Sequence, residues 1–177
     1  PYTINRCRFL NNFGIRGGAV YVRDARLNVV GSIFAGNGTE DATTGGYQNA
    51  RGGAIFIGAS GNNTAAQLFA VNSLFVNNET TGKGGAIGTT YAEGVTSAYD
   101  PQLDIMNCTF ACNKAATNAV IYNHNGKSKL TNTLIWGNES DVYNDQTNVN
   151  EMQVSHSASD YNYGNKFGEN NRSDNVR

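Results

Sequence analysis

The chain has 177 residues, enough for one domain, with 39% hydrophobic residues, only 15% charged residues and a formal net charge of -1. A charge this close to zero argues against a nucleic-acid-binding surface, which needs a strong basic footprint. Aromatic residues make up 10% of the chain, which favours an ordered protein over a disordered one. No apolar run approaches the length of a membrane-spanning helix.

An internal repeat begins at the first residues and recurs along the chain. Its pattern is apolar, x, apolar, x, x, small, x, large apolar, x, x, Asn, as in Tyr2, Ile4, Cys7, Phe9 and Asn12. The alternation predicts a short strand that cannot bury its apolar face alone, so equivalent strands should stack about 4.8 Å apart. The copies span 2–12, 27–37, 68–78, 103–113, 128–138 and 152–162. The fifth copy matches the pattern weakly at its start, and the sixth has lost the large apolar residue.

A second element, Gly-Gly-Ala followed by Ile or Val, lies between these copies. It occupies 17–20, 52–55 and 84–87, and 118–121 is a decayed fourth copy. The paired glycines suit a corner where the backbone takes a positive φ or packs too closely for a Cβ. Periods run from about 25 to 41 residues, and the difference falls in loops at 38–51, 58–67 and 88–102.

The two elements predict an all-β fold, a right-handed parallel β-helix of about five to six coils with loop insertions. It is expected to cover residues 1–162, followed by a polar C-terminal extension or linker at 163–177. Because Pro1 falls inside a repeat, the sequence is interpreted as a fragment of a longer solenoid. Helices are excluded since glycine pairs recur and no stretch keeps a 3.6-residue period.

Three columns of polar or small residues should mark the corners of this solenoid. The asparagines that close each repeat are expected to bond from coil to coil as a ladder, and to tolerate a left-handed backbone. A shorter asparagine ladder is expected just before the small residue of each repeat, and the small residues form a third column. The three sets are Asn12, Asn37, Asn78, Asn113 and Asn138; Asn72, Asn107 and Asn132; and Cys7, Ser32, Ser73, Cys108 and Thr133.

The pairing of Phe-x-x-Asn with Gly-Gly-Ala-Ile or Gly-Gly-Ala-Val resembles the repeat of chlamydial polymorphic outer membrane proteins. It stands here as Phe9 to Asn12 with 17–20, Phe34 to Asn37 with 52–55, and Phe75 to Asn78 with 84–87. Residues 132–138 also resemble the last coils of secreted Bacteroidetes-type proteins that carry a variable C-terminal anchor. The resemblance implies a bacterial β-helix that is secreted or outer membrane-associated at the cell surface. It implies no catalytic residue, because the matched positions are structural.

A column of cations is the most suggestive candidate site. Arg16, Arg51 and Lys83 each precede a glycine pair, so coils in register would stack three like charges. One interpretation is a groove for an anionic polymer such as an acidic polysaccharide. The other is that the side chains extend into solvent, or cap corner carbonyls and the nearby Glu40 and Asp41.

Tyr47, Tyr91 and Tyr99 lie in the long insertions, where they would bind a sugar or a protein partner or pack into the insertion itself.

Seven carboxylates are candidates for calcium binding or paired-carboxylate hydrolysis, but no two share a column of the repeat. Solvated loop carboxylates are therefore expected. The seven are Asp24, Glu40, Asp41, Glu93, Asp100, Asp104 and Asp141.

No cofactor and no metal site is predicted. Cys7, Cys108 and Cys112 match no zinc spacing, no disulfide is predicted, and His124 and His156 are isolated in different repeats. No Ser/His/Asp or Cys/His set can be assembled from the spacing, so catalytic residues are not assigned.

Three classes of function remain open. The first is an adhesin-like binding module on the cell surface, and the second is a spacer within a larger exported protein. The third is a polysaccharide lyase or glycoside hydrolase acting on an acidic polysaccharide, disfavoured because no titratable groups converge. Expected partners are a glycan or a surface protein of a host or neighbouring cell, together with the export or anchoring machinery of the parent protein. No nucleic acid and no direct membrane span is expected.

Overall fold

The computed structural model describes residues 1–40, 50–59, 66–91, 101–116, 120–124, 126–139, 142–145 and 152–160, with the backbone alone at 90–91, 142–145 and 152. Within these residues the chain is all-β and contains no helix. The predicted extension at 163–177 lies outside them.

The strands recur in the same order along the chain. The first repeat contributes β1 (Tyr2–Asn5), β2 (Arg8–Leu10), β3 (Phe13–Gly14) and β4 (Val20–Arg23). The second contributes β5 (Arg26–Val30), β6 (Ile33–Ala35), β7 (Gly38–Thr39) and β8 (Ile55–Ala59). The third contributes β9 (Gln67–Val71), β10 (Leu74–Val76), β11 (Glu79–Thr80) and β12 (Ile87–Tyr91).

The later repeats have the same order with fewer short strands. The fourth contributes β13 (Gln102–Met106), β14 (Thr109–Ala111), β15 (Lys114–Ala115) and β16 (Ile121–His124). β17 (Lys127–Thr131), β18 (Leu134–Trp136) and β19 (Val142–Asp145) follow, and then β20 (Met152–Ser155) and β21 (Ala158–Ser159).

Equivalent strands of successive repeats pair in parallel and build four sheets. The first sheet has the order β1-β5-β9-β13-β17-β20, and the second has β2-β6-β10-β14-β18-β21. The third is β3-β7-β11-β15, and the fourth is β4-β8-β12-β16-β19. Each neighbour in a sheet is the same element of the next repeat, as stacking the sequence repeats predicts. The arrangement is consistent with a β-helix.

The core consists of inward columns that run through the sheets. On the first sheet Leu27 pairs with Leu68 and Leu68 with Leu103, all of them buried. On the second sheet the large apolar residues stack ring on ring, with centroids 4.7 to 5.0 Å apart and planes within 5° of parallel. That stack comprises Phe9, Phe34, Phe75 and Phe110.

The asparagines that close each repeat bond from coil to coil. Asn37 shows the pattern: its Nδ2 donates to Phe9 O at 3.1 Å and to Asn78 Oδ1 at 2.9 Å. Its Oδ1 accepts from both N and Nδ2 of Asn12. Asn78 and Asn113 repeat this arrangement, and Asn138 continues it with its Oδ1 accepting from Asn113. Each interior amide therefore uses both hydrogens and accepts two bonds, which satisfies a group that is fully buried.

The small-residue column carries a second set of bonds. Ser32 Oγ accepts the backbone N–H of Cys7, and Ser73 Oγ accepts that of Ser32, both at 3.1 Å. Each hydroxyl in turn donates to the carbonyl two residues before it, at 2.9 Å. The same bonds occur at Thr133 and Ser157. The column thus pairs backbone groups that the corner would otherwise leave buried and unsatisfied.

The left-handed backbone falls on different residues from those predicted. The ladder asparagines do not adopt a positive φ, whereas the residue before each of them does, from Asn11 (55°) and Gly36 (64°) to Gly137 (62°). A left-handed residue at that position turns the chain so that the next side chain points inward, where the ladder needs it. The corner before the small residue is also left-handed, at Arg6, Gly31, Asn72, Asn107, Asn132 and His156.

The shorter asparagine ladder is only partly formed. Asn132 Nδ2 donates to Asn107 Oδ1 at 2.7 Å in an exposed position. Within the described part of the chain, the side chain of Asn72 makes no such bond.

The glycine pairs fulfil both expectations, one at each residue. The first glycine has a positive φ of 61° at Gly17, 66° at Gly52 and 78° at Gly84. The second packs too closely for a side chain, since a Cβ on Gly53 would overlap the backbone of Gly85 and Glu79. Residues just before each pair are thereby held in register from coil to coil.

Candidate functional site

The three predicted cations occupy equivalent positions on consecutive coils. Arg16 pairs with Arg51 and Arg51 with Lys83 in parallel bridges just before the glycine corner. Backbone bonds from Gly17 N to Arg51 O and from Gly52 N to Lys83 O, both 3.0 Å, hold this register. All three side chains are partly buried. We call these three residues the cation row.

The cation row lies on aromatic rings of the fourth sheet. Arg16 Cζ is 5.5 Å from the ring centroid of Phe56, while Arg51 Cζ is 5.5 Å and Lys83 Nζ is 4.7 Å from that of Tyr122. A cation over a ring is stabilised by about 0.5–2 kcal/mol, more as water is excluded. The rings therefore offset part of the repulsion between stacked like charges.

Gly88 makes room for the central cation. In the register of the fourth sheet, Gly88 pairs with Phe56 on one side and Tyr122 on the other. A Cβ on Gly88 would lie 2.7 Å from Gly52 N and 3.1 Å from the Arg51 Cβ, so a larger residue there would shift the backbone that carries the arginine. Arg51 Nη1 also donates to Thr89 O, a carbonyl of strand β12, at 3.4 Å.

Sequence reasoning missed Tyr122 and His124, which extend the cation row. Lys83 Nζ donates to Tyr122 Oη at 3.2 Å, and Tyr122 Oη is hydrogen-bonded to His124 Nδ1 at 3.1 Å. The two rings are nearly parallel, with centroids 6.0 Å apart. Tyr122 is fully buried and His124 partly exposed. The sequence did contain a sign of this placement. Side chains alternate along β16, so Ile121 points into the apolar core and both Tyr122 and His124 point to the opposite face of the sheet.

Described carboxylates do not neutralise the ends of the cation row. Between described residues the ion pairs are Arg23 with Asp24 at 3.7 Å and Lys114 with Glu139 at 2.9 Å, and neither includes Arg16 or Lys83. The expected contact with Glu40 is not formed, and Asp41 lies outside the described residues. Between described residues, the two ends of the row, Arg16 and Lys83, therefore contact aromatic rings rather than carboxylates.

The other sequence candidates are less well placed. Tyr91 ends β12 with only its backbone described, and Tyr47 and Tyr99 lie outside the described residues. Asp24 sits at a corner and Asp104 faces outward on the first sheet, in different columns. Among described residues no group of three or more His, Cys, Asp or Glu side chains could hold a metal ion. Glu93, Asp100 and Asp141 fall outside the description.

All three cysteines are free thiols in distinct environments. Cys7 and Cys112 are exposed, whereas Cys108 is buried in the small-residue column and donates to Met106 O at 3.3 Å. Burial raises the pKa of the Cys108 thiol from 9.0 to about 11. Cys108 thus takes the place of a serine in the column and is inert at neutral pH.

The buried thiol predicts a loss of stability at alkaline pH. Between about 9 and about 11 the unfolded chain loses the Cys108 proton while the folded chain keeps it, so the free energy of unfolding falls as pH rises through that window. Cys108→Ser is expected to remove this component. Urea unfolding at about pH 8 and about pH 10 should show a smaller alkaline decline in the variant. Equal declines in both proteins would contradict the assignment, and Cys112→Ser serves as the exposed control.

No protein-family model, no curated protein and no solved structure matches this chain. The resemblance to bacterial surface repeats accordingly stays a prediction from the sequence motifs. The described residues form no helix that is long and apolar enough to cross a membrane.

Proposed function

We propose that the chain is a right-handed parallel β-helix of five to six coils, part of a secreted or cell-surface protein, and that it acts as an adhesin-like binding or spacer module. Six parallel strands in each of the first two sheets support the coil number. Right-handed crossovers between parallel strands are strongly preferred, which supports the handedness. The recurring residues serve stacking, and a scaffold requires nothing more.

The ligand that the surface fits best is an anionic polymer, with an acidic polysaccharide as the leading class. The observation that carries this is the cation row: three consecutive coils place a positive charge at one position, about 4.8 Å apart. Stacking like charges is unfavourable, so a bound polyanion along the solenoid axis would offset repulsion between the three side chains. An acidic glycan on a host or neighbouring cell is a partner of this kind.

Loss of two cations tests the proposal. The double variant Arg51→Gln with Lys83→Gln should weaken binding of oligogalacturonate by roughly tenfold or more, because each lost charge-assisted bond contributes about 1.5–3 kcal/mol. Isothermal titration calorimetry would measure it, with the neutral galactose oligomer as ligand control and Lys114→Gln as protein control. Unchanged affinity in a folded double variant would sink the proposal.

A lyase acting on an acidic polysaccharide is the alternative, supported by the bonds that join Lys83, Tyr122 and His124. Elimination from a uronate needs a cation at the carboxylate and a base at the neighbouring carbon, and these residue types supply both. Full burial of the Tyr122 side chain keeps its hydroxyl from a sugar in this arrangement, so binding is favoured. Ultraviolet absorbance of an unsaturated product, abolished by Tyr122→Phe, would establish the lyase instead.

A further inference from the structure

A second polar groove lies on the outer face of the first sheet, away from the cation row. It spans three consecutive coils, β13, β17 and β20, and encloses about 570 Å³, a volume typical of small-ligand sites. Its polar lining consists of Gln102, Asp104, Lys127, Ser128, Lys129 and Gln153.

The register places complementary groups side by side in this groove. Gln102 pairs with Lys127, while Asp104 pairs with Lys129 and Lys129 with Gln153. Opposite charges on adjacent strands usually form an ion pair. Here, between described residues, Asp104 and Lys129 form none. The buried Asp104 Oδ1 also accepts no hydrogen bond from a described residue.

The same face is satisfied internally on the earlier coils. Arg26 Nε donates to Asn28 Oδ1 at 3.0 Å, and its guanidinium lies 5.9 Å from the Phe69 ring. Gln67 Nε2 donates to Gln102 Oε1 at 3.1 Å, which leaves the Gln102 amide hydrogens facing the later coils. In the described part of this face, the buried Asp104 Oδ1 without a hydrogen-bond partner therefore lies at the groove and not on the earlier coils.

We propose that this groove binds an acidic saccharide unit. The ammonium groups of Lys127 and Lys129 hold its carboxylate or sulfate, and the Gln102 and Gln153 amides with the Asp104 carboxylate bond its hydroxyls. The assignment is independent of the cation row and adds a second binding site to the scaffold.

The hydrogen bonds that extend the cation row from Lys83 through Tyr122 end at His124, near the groove. His124 ends β16 and Lys127 begins β17, so their Cα atoms are no more than about 11 Å apart.

Side-chain amide signals provide a local test. Titrating ¹⁵N-labelled protein with trigalacturonate should shift the Gln102 and Gln153 side-chain amides, and the neutral trigalactose should shift them less. Lys127→Gln with Lys129→Gln should weaken the trigalacturonate titration roughly tenfold or more, whereas Lys114→Gln, an exposed lysine on the third sheet, should not.

The proposal that the groove binds an acidic saccharide would be refuted by a result at these two amides or in the lysine variant. Absence of shifts at Gln102 and Gln153, or equal titrations in the parent protein and the lysine double variant, would refute it. The Arg51→Gln with Lys83→Gln variant separates the two sites: it should keep the groove titration whether or not the cation row binds glycan.

Discussion

Replacing Asn78 with alanine is expected to lower the free energy of unfolding by about 3–6 kcal/mol, because several buried groups lose partners at once. Asn78 Oδ1 accepts the N–H and Nδ2 of Asn37, at 3.0 and 2.9 Å. Its Nδ2 donates to Phe34 O at 3.0 Å and to Asn113 Oδ1 at 2.9 Å. Alanine removes all four bonds inside a core that water does not reach.

Asn12→Ala is the matched control at the exposed end of the ladder. Its side chain makes one bond, to Asn37 Oδ1, and its backbone N–H keeps the same acceptor. The expected loss is below about 1 kcal/mol. Urea unfolding followed by circular dichroism would measure both variants, and equal losses would show that the ladder does not stabilise the fold.

The second large effect is expected at the centre of the aromatic stack. Phe75 is fully buried, with rings 5.0 Å away at Phe34 and 4.7 Å away at Phe110. Phe75→Ala should cost about 3–5 kcal/mol through lost burial and the cavity left behind. Phe13→Ala, at a phenylalanine that is 67% exposed, should change stability by no more than about 0.5 kcal/mol.

Guanidinium unfolding of the two phenylalanine variants would test this contrast. A Phe75→Ala loss as small as that of Phe13→Ala would mean that the coils adjust to fill the cavity. A change in the denaturant slope, rather than in the midpoint alone, would show that the coils no longer unfold together.

The columns of the core could be predicted from sequence because stacking imposes one register on every repeat. Leu27, Leu68 and Leu103 hold equivalent positions in the sequence pattern and pair directly in the first sheet. Ser159 stands where the pattern has lost its large apolar residue, and it pairs with Ile135 in the same column. Repeats of unequal length still align, since the extra residues fall outside the strands.

The corners were harder to predict because two residues share one turn. Asparagine suits both a left-handed backbone and a side-chain ladder, and the sequence does not say which task falls to which residue. In the structure Asn77 takes the left-handed backbone with a φ of 52°, and Asn78 makes the ladder bonds. Cys112, with a φ of 55°, fills the left-handed position in the next repeat, which residue preference alone would not suggest.

The cluster around Tyr122 was missed because its partners belong to different repeats. Lys83 and Tyr122 are 39 positions apart, and the repeat that leads into β16 is decayed. Motif comparison therefore left His124 isolated. The alternation along β16 indicated that Tyr122 and His124 share its outer face. The contact with Lys83 depends on how far that side chain reaches, which a sequence pattern does not encode.

The asparagine ladder gives the solenoid a direction. Each interior Oδ1 accepts from the asparagine of the coil before it, and each interior backbone N–H donates to the asparagine of the coil after it. One Nδ2 hydrogen follows the N–H, and the other donates to a carbonyl of the coil before. The two faces of a coil are consequently unlike, because Oδ1 accepts on one face and the N–H donates on the other. A two-fold symmetric pairing of two coil faces would set like groups against each other. Only head-to-tail stacking can continue the ladder. Any further coil that joins the asparagine column therefore has a single allowed orientation.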